Sequence, residues 1–310
     1  MISTIKKTIA IGIIILVAIT LYNFTKQGLP KQTQMNQGRL QIMTSFYPLY
    51  FFTSQIVGDK AVVYNITPAG AEPHDYEPTA TDMARLEDSQ LLILNGNKLE
   101  PWSDNIQAVL KDTSTDVIVV GEDMANQTIF EDNNTIRDPH VWLDPILAKK
   151  EITIIYKKLS EIDPNNSSYY AANTKLLQNK LDSLDSQYRI GLKNCEKKDI
   201  ITSHAAFGYL ASEYGLRQVA ISGLSPDEEP SSKQLTEVAN FAKKNNIKYI
   251  FFESLVSPKL SGTIAQEIGA KTLVLNPIEG LTPTEIANGK TYFTEMEKNL
   301  TNIKTALQCL

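Results

Sequence analysis

The sequence predicts an α/β protein of two β/α lobes, each with a mainly parallel four-stranded sheet, joined by a single long linker helix. Two observations predict this architecture. Apolar runs rich in β-branched residues alternate with segments of helical spacing through most of the chain. The alternation is interrupted once, near the middle of the 310 residues, by an unusually long helical pattern. Hydrophobic residues make up 42% of the sequence, an ordinary globular value that supplies enough apolar side chains for two lobes.

The first lobe is predicted over residues 39–166. Residues 48–57 show the helical spacing of apolar side chains. Asp144 followed by Pro145 marks the start of another helix, because aspartate caps helix N-termini and proline suits the first helical position. The four strand candidates are residues 40–44, 61–66, 91–94 and 117–120.

Residues 167–194 are predicted to form the linker helix. They contain the longest helical pattern without an internal proline, with Leu177, Leu181 and Leu184 on one face. A helix of about 25 residues would span ~37 Å, which is long for a crossover within one lobe. The β/α alternation then restarts, so the second lobe is predicted over residues 195–310. Its strand candidates are residues 199–203, 218–222, 249–253 and 271–275.

Residues 1–38 are predicted to lie outside the folded body. Lys6 and Lys7 precede an uncharged, largely apolar run at residues 8–25, which has nearly the length of a membrane span and also matches the signal-peptide pattern. Because no convincing cleavage site follows, we expect an uncleaved signal anchor with the lysines in the cytoplasm, then a polar tether. A signal peptide cut at a poor site is the alternative. In both cases the body is extracytoplasmic, in the periplasm or at the outer face of the cytoplasmic membrane.

Charge and cysteine content narrow the function classes. A net charge of −5 and the lack of a Lys/Arg cluster argue against a nucleic-acid partner. The segment before residue 39 has no cysteine, which excludes a lipid-modified cysteine there. The two cysteines, Cys195 and Cys309, are predicted to form one disulfide in an exported chain, with two free thiols as the alternative.

All three histidines follow predicted strands. His74 comes after the second strand, His140 after the fourth, and His204 directly after the first strand of the second lobe. Ligands of open α/β sheets bind beyond the carboxyl ends of the strands, so both lobes would direct histidines into a shared cleft. Trp142 and Phe207, beside two of the histidines, are interpreted as packing residues that keep water from this site.

The fourth ligand decides the class of site, because three imidazoles alone could form an open catalytic zinc site. Glu279 follows the last strand on a turn punctuated by proline and glycine, and Glu253 ends the strand before it. The acidic residues 227–229 are a further possibility, but carboxylates there also suit the N-terminus of a helix starting near Ser231. Water is the remaining candidate.

Three motifs, in this order, resemble the metal-binding solute-binding proteins of zinc and manganese ABC transporters. They are Glu-Pro-His-Asp-Tyr-Glu-Pro at 72–78, Asp-Pro-His-Val-Trp-Leu-Asp-Pro at 138–145 and Ser-His-Ala-Ala-Phe-Gly-Tyr-Leu at 203–210. The resemblance covers nearly all of residues 40–310. It implies two α/β lobes joined by one rigid helix, a metal ion bound between them, and delivery of that ion to an ABC permease.

The resemblance maps metal ligands onto His74, His140 and His204, and the third position is histidine in zinc-type members but usually glutamate in manganese-type ones. Asn276 stands where an aspartate is common, whereas Glu279 matches the Asn-Pro-x-Glu turn of some zinc-type members. Three imidazoles and one carboxylate also suit tetrahedral Zn²⁺, since Mn²⁺ prefers more oxygen ligands. We therefore predict Zn²⁺ as the transported ion.

The sequence predicts a binding protein and not an enzyme. A zinc hydrolase with an open fourth position would need a general base, for which Glu72, Glu77 or Glu253 could be nominated. However, no His-Glu-x-x-His helix is present, and ligands spread over two lobes favour capture and release. A manganese-type binding protein is the nearer alternative. We expect a monomer whose partner is the permease.

Overall fold

A computed structural model describes residues 38–131, 134–226 and 228–310. The apolar run at residues 8–25, predicted to be a signal anchor or a signal peptide, lies outside these ranges. Among the described helices, none is both long enough and apolar enough to cross a membrane. Residues 40–310 form one structural unit.

The first sheet confirms the parallel architecture predicted for the first lobe. Its strands are β1 (Leu40–Thr44), β2 (Ala61–Asn65), β3 (Leu91–Leu94) and β4 (Asp116–Val119), in the order β2–β1–β3–β4. All neighbouring strands are parallel, so the four carboxyl ends share one edge. The connecting helices are α1 (Tyr47–Val57), α2 (Ala80–Asp88) and α3 (Ser103–Leu110). His74 lies in the loop that leaves β2 at this edge.

An antiparallel hairpin of β5 (Thr128–Glu131) and β6 (Asn134–Arg137) follows β4. This hairpin is not among the strands predicted from the sequence, and its acidic residues are typical of a loop. Its signal in the sequence is weak, because the two strands together contain only three apolar residues, Ile129, Phe130 and Ile136, and polar residues separate them. The hairpin leads into the short helical turn Val141–Leu143, and His140 lies immediately before that turn.

The linker helix is present as predicted. Helix α4 (Pro145–Ile162) starts at its Asp144 cap, whose carboxylate accepts a hydrogen bond from the Ile146 amide at 2.7 Å. Helix α5 (Ser167–Gly191) has 25 residues and packs along α4 and α1. The boundaries at residues 166 and 194 stay predictions.

The second lobe has the four strands predicted for it, but they do not form the single four-stranded sheet that the sequence predicts. They are β7 (Asp199–Thr202), β8 (Arg217–Ala220), β9 (Tyr249–Phe252) and β10 (Lys271–Val274). The strands form two hydrogen-bonded pairs, β7–β8 and β9–β10, with β7 beside β9. At the junction, the Phe251 carbonyl accepts hydrogen bonds from the hydroxyls of Ser203 and Ser261. The helices are α6 (Gly208–Glu213), α7 (Ser232–Lys244), α8 (Lys259–Ile268), α9 (Pro283–Ala287) and α10 (Tyr292–Leu307).

One hydrophobic cluster extends through both lobes and along α5. Helix α10 of the second lobe contributes Tyr292, whose ring centroid lies 4.8 Å from that of Phe52 and 6.1 Å from that of Phe51, both on α1. Tyr188 of α5 donates a hydrogen bond to the Met296 carbonyl of α10 at 2.7 Å. The lobes are therefore joined by packed side chains as well as by a helix, and we expect little rotation between them.

The predicted disulfide is confirmed. Cys195, which follows α5, is bonded to Cys309, which follows α10, over a sequence separation of 114 residues. The bond connects the start of the second lobe to the end of its last helix.

Glu151 of α4 is fully buried, and neither of its carboxylate oxygens has a hydrogen-bond partner among the described residues. Burial raises the pKa of this carboxyl well above its usual range. The folded state therefore keeps the proton at pH values where the unfolded chain, with a pKa of about 4.3, releases it. The stability that this proton provides is complete below pH ~4.3 and is lost as pH rises towards the folded-state pKa.

We expect Glu151→Gln to remove this dependence, because glutamine does not titrate. The free energy of unfolding of the wild type should fall relative to that of Glu151→Gln by about 1.4 kcal/mol for each pH unit above ~4.3, up to the raised pKa. Urea unfolding of both proteins at several pH values measures the difference. Glu161→Gln, at the exposed end of the same helix, is the matched control. A constant difference between pH 5 and pH 7 would contradict the prediction.

Candidate metal centre

Four side chains from both lobes meet at one point between the sheets. They are the predicted ligands His74, His140, His204 and Glu279, and their ligand atoms all lie within 4.8 Å of one another. The Nε2 atom of His140 is 3.4 Å from that of His74 and 3.3 Å from that of His204. The Glu279 Oε1 atom is 3.1 Å, 3.3 Å and 3.5 Å from the three Nε2 atoms.

These five separations fit the corners of a tetrahedral zinc site, and the sixth, between His74 and His204, is at most 4.8 Å. Zinc lies 2.0–2.1 Å from imidazole nitrogen, and atoms at the corners of a tetrahedron of that radius are about 3.3–3.4 Å apart. The observed separations of 3.1–3.5 Å surround this value. His140, His204 and Glu279 are buried, and His74 retains 8% exposure of its side chain. Of the four side chains in the cluster, His74 is therefore the one that solvent reaches.

A carboxylate orients His140. Asp138 Oδ1 accepts hydrogen bonds from the Nδ1 atom of His140 at 2.7 Å and from its backbone amide at 2.9 Å. The Asp138 carbonyl in turn accepts from the Tyr209 hydroxyl of the second lobe at 3.0 Å. With the proton on Nδ1, the Nε2 lone pair is directed at the centre of the cluster, and the carboxylate raises the basicity of the ring.

Glu253 has the same relation to His204. Its Oε1 atom lies 2.7 Å from Nδ1 of His204, on the side of the ring opposite the cluster. This carboxylate therefore orients the imidazole, and it does not occupy the fourth corner for which the sequence analysis considered it. Of the other candidates, residues 228 and 229 line a separate cavity beside α7, and Asp227 lies outside the described residues.

The fourth corner is held by a turn after β10. The Asn276 side chain accepts a hydrogen bond from the Ile278 amide at 2.8 Å, and its backbone exchanges two hydrogen bonds with the Asn299 side chain of α10, at 2.8 Å and 2.6 Å. Asn276, which replaces the aspartate expected by resemblance, thus shapes the turn that presents Glu279.

The charges of the cluster stabilise protons on two of the imidazoles in the absence of an ion. Burial alone would lower the pKa of His204, but the negative charges of Glu253 and Glu279 outweigh it and raise this pKa well above the usual range. For His140, Asp138 and Glu279 outweigh burial in the same way and raise the pKa. Burial dominates at His74 and lowers its pKa. The three histidines lower the pKa of Glu279 well below its usual range despite its burial.

Glu72 lies at the edge of the cluster and carries no hydrogen-bond partner on Oε2 among the described residues. Burial, and then the charge of Glu279, raise its pKa to about 10. In the absence of an ion, Glu72 therefore keeps its proton at neutral pH.

Sequence reasoning did not assign roles to Asp138 and Glu253 as partners of histidines. For Asp138 a local signal exists, since it lies two residues before His140. For Glu253 and His204, 49 residues apart, only the pairing of strand ends brings the two together. Trp142 and Phe207 are fully buried, as predicted for packing residues.

Two α/β lobes around a buried site of three imidazoles and one carboxylate define a receptor that encloses a small cation. The family model ZnuA, described as zinc-uptake complex component A, periplasmic, matches residues 42–306. The chain therefore belongs to the ZnuA family of zinc-uptake components. This membership confirms the class of protein predicted from the three motifs. Members of the family are components of a zinc-uptake complex and not enzymes.

Individual relatives agree with this assignment. The high-affinity zinc uptake system protein ZnuA of Bacillus subtilis (strain 168) is 42% identical over 280 residues, which are 87% of this chain and 88% of that protein. The zinc-binding lipoprotein AdcA of Streptococcus pneumoniae (strain ATCC BAA-255 / R6) is 40% identical over 278 residues, but these are 56% of AdcA. The chain thus spans little more than half the length of AdcA.

A solved structure has the same fold. The crystal structure of the Zn(II)-bound ZnuA-like domain of Streptococcus pneumoniae AdcA gives a TM-score of 0.75 at 40% identity. The match covers 87% of this chain and 99% of that domain. The two-lobe fold predicted from the sequence is confirmed by this similarity.

Proposed function

We propose that this protein captures Zn²⁺ from the extracytoplasmic space with His74, His140, His204 and Glu279, and delivers it to an ABC permease for import. The observation that carries the proposal is that five of the six separations between the four ligand atoms are 3.1–3.5 Å, the edge length of a zinc-centred tetrahedron, while all four atoms lie within 4.8 Å of one another. The proposed N-terminal anchor at residues 8–25 would keep the protein at the outer face of the membrane, close to the permease.

Zinc is favoured over manganese by the chemistry of the ligands. Three of the four ligand atoms are imidazole nitrogens and only one is a carboxylate oxygen, whereas Mn²⁺ favours oxygen-rich sites of higher coordination number. The negative charge of the surroundings also suits a divalent cation. Asp138, Glu253 and Glu279 are all within hydrogen-bonding distance of the imidazoles, so a bound dication is offset by nearby carboxylates.

Names of the relatives support the same ion. The Bacillus subtilis relative is described as a zinc uptake protein, and the AdcA domain was crystallised with Zn(II). Release to a permease rather than catalysis is the step that follows capture, because the family is a component of an uptake complex.

Titration of the metal-free protein with Zn²⁺ at several pH values tests the proposal. We expect one ion per chain, binding more tightly than Mn²⁺, with an affinity that falls as pH is lowered. In the metal-free state the raised pKa values of His140 and His204 mean that zinc must displace protons over a range extending above the usual histidine range. Below those pKa values each displaced proton weakens binding by up to about tenfold per pH unit.

Isothermal titration in buffers of different ionisation enthalpy counts the protons released. The absence of a specific metal ion at one per chain would refute the proposal. Tighter binding of Mn²⁺ than of Zn²⁺ would instead favour a manganese-type receptor.

A further inference from the structure

The turn that presents Glu279 contains a strained residue. Ile278 has a backbone φ of +60° and is completely buried. The left-handed region is unfavourable for β-branched residues, and such a residue keeps this conformation only where the surrounding contacts enforce it. The position of the Glu279 carboxylate, one residue further on, therefore depends on whatever restrains Ile278.

Two hydrogen bonds restrain this turn from opposite sides. Within the turn, the Asn276 side chain accepts from the Ile278 amide at 2.8 Å. From the first lobe, the indole Nε1–H of Trp142 donates to the Pro277 carbonyl at 2.7 Å. Both polar groups of the peptide bond before the strained residue are thus paired with side chains, its carbonyl with Trp142 and its amide with Asn276.

Trp142 is itself held in one place. Its ring is fully buried and lies 5.1 Å from the His140 ring and 4.6 Å from the Phe46 ring, measured between centroids. Its carbonyl accepts a hydrogen bond from the Tyr292 hydroxyl of α10 at 2.6 Å. Trp142 therefore packs against one proposed ligand, His140. It also donates a hydrogen bond, across the lobes, to the turn that presents another, Glu279.

The second tryptophan of the chain shows that this indole bond is not a general consequence of burial. Trp102, which precedes α3, is also buried, but its Nε1–H has no hydrogen-bond partner within the described part of the chain. Packing alone thus does not require a partner for the indole N–H in this protein. The bond from Trp142 is specific to the Glu279 turn.

We propose that Trp142 and Asn276 are positioning residues for Glu279: they hold the strained turn so that Oε1 stays at the fourth corner of the site. This inference rests on the proposed function, since it concerns the ligand set of the same site. Without the Trp142 bond, the turn relaxes towards an unstrained backbone and the carboxylate moves away from the three imidazoles. Trp142, which was interpreted from the sequence as a packing residue, would then determine how many protein ligands coordinate the bound ion.

The test compares Zn²⁺ affinities, measured by competition with a chromophoric chelator, in Trp142→Phe and Trp102→Phe. Phenylalanine keeps a buried aromatic ring but lacks the N–H group. Trp142→Phe is expected to weaken Zn²⁺ binding by about 10- to 100-fold, the usual effect of losing a group that orients a ligand. Trp102→Phe, the matched control, should bind Zn²⁺ like the wild type.

A double-mutant cycle distinguishes the positioning of Glu279 by Trp142 from a purely structural role of Trp142. If Trp142 acts through Glu279, Trp142→Phe should cost little in a Glu279→Ala background. The visible spectrum of Co²⁺ bound to Trp142→Phe should also shift towards that of Glu279→Ala, in which water replaces the carboxylate, while Trp102→Phe keeps the wild-type spectrum. The inference is overturned if Trp142→Phe binds like Trp102→Phe, or if its full penalty persists in the Glu279→Ala background.

Asn276→Ala provides the same cycle if Trp142→Phe does not fold. The two proposals fail in different ways. A wild type that binds no zinc refutes the proposed function, whereas zinc binding that depends on Glu279 but not on Trp142 or Asn276 refutes the positioning role alone.

Discussion

His204→Ala is expected to lower the affinity for Zn²⁺ by roughly 100- to 1000-fold, because it removes one of four proposed ligands from a buried site. Four-ligand zinc sites are worth about 10–16 kcal/mol, so an even share is about 2.5–4 kcal/mol per ligand, at about 1.4 kcal/mol per factor of ten. The loss is increased by Glu253, whose carboxylate loses its imidazole partner at 2.7 Å and stays buried.

Glu279→Ala should have a smaller effect than His204→Ala. Water can replace a carboxylate at the fourth corner, as it does in zinc sites with three histidines. Competitive titration with a chelator of known affinity measures both variants against the wild type. Glu228→Ala, in the separate cavity beside α7, is the control and should leave the affinity unchanged. Equal zinc affinities of His204→Ala and the wild type would rule out the proposed ligand set.

Removing the disulfide is expected to lower the free energy of unfolding by about 4–5 kcal/mol. The bond between Cys195 and Cys309 closes a loop of more than a hundred residues, and the chain-entropy model gives about 4.7 kcal/mol for a 100-residue loop. The double variant Cys195→Ser/Cys309→Ser, unfolded with urea beside the oxidised wild type, measures this difference.

Reduction of the wild type offers a matched control, since these are the only two cysteines in the sequence. The reduced wild type and the double serine variant should unfold at the same urea concentration. Both should bind Zn²⁺ like the oxidised protein, because neither cysteine is among the four proposed ligands. If reduction does not change the urea midpoint, the disulfide does not stabilise the protein by restricting the unfolded chain, and the prediction is wrong.

The strands were predictable because parallel strands are buried on both faces. All eight predicted strands are present within one or two residues of the expected positions, as in β3, where every residue is buried. The hairpin of β5 and β6 lacks this pattern. It is antiparallel and poor in apolar residues, and its acidic surroundings are typical of a loop.

The three histidines were predictable for a related reason. In a parallel sheet the carboxyl ends of the strands share one edge, so side chains that follow different strands converge without any local signal. The position of a residue after a strand could not decide whether Glu279 or Glu253 is the fourth ligand. Both follow strands of the second lobe, and only the ring nitrogen that each one faces distinguishes them, Nε2 for Glu279 and Nδ1 for Glu253.

The bond from Trp142 to Pro277 was not predictable at all from a single sequence. It joins residues 135 positions apart across two lobes, and a buried tryptophan has the same sequence pattern whether or not its N–H group is used. The left-handed Ile278 is equally invisible, since β-branched residues ordinarily indicate extended backbone.

The packing of Tyr292 on α1 has a consequence for the order in which the chain matures. During synthesis and export, segments near the N-terminus are free to fold before later ones. Here the hydrophobic cluster around Phe51 and Phe52 includes a ring from α10, a helix that follows all ten strands of the described residues. We therefore expect the interior of the first lobe to be completed only after that helix has been synthesised, and the proposed ligands of both lobes to come together at the same stage.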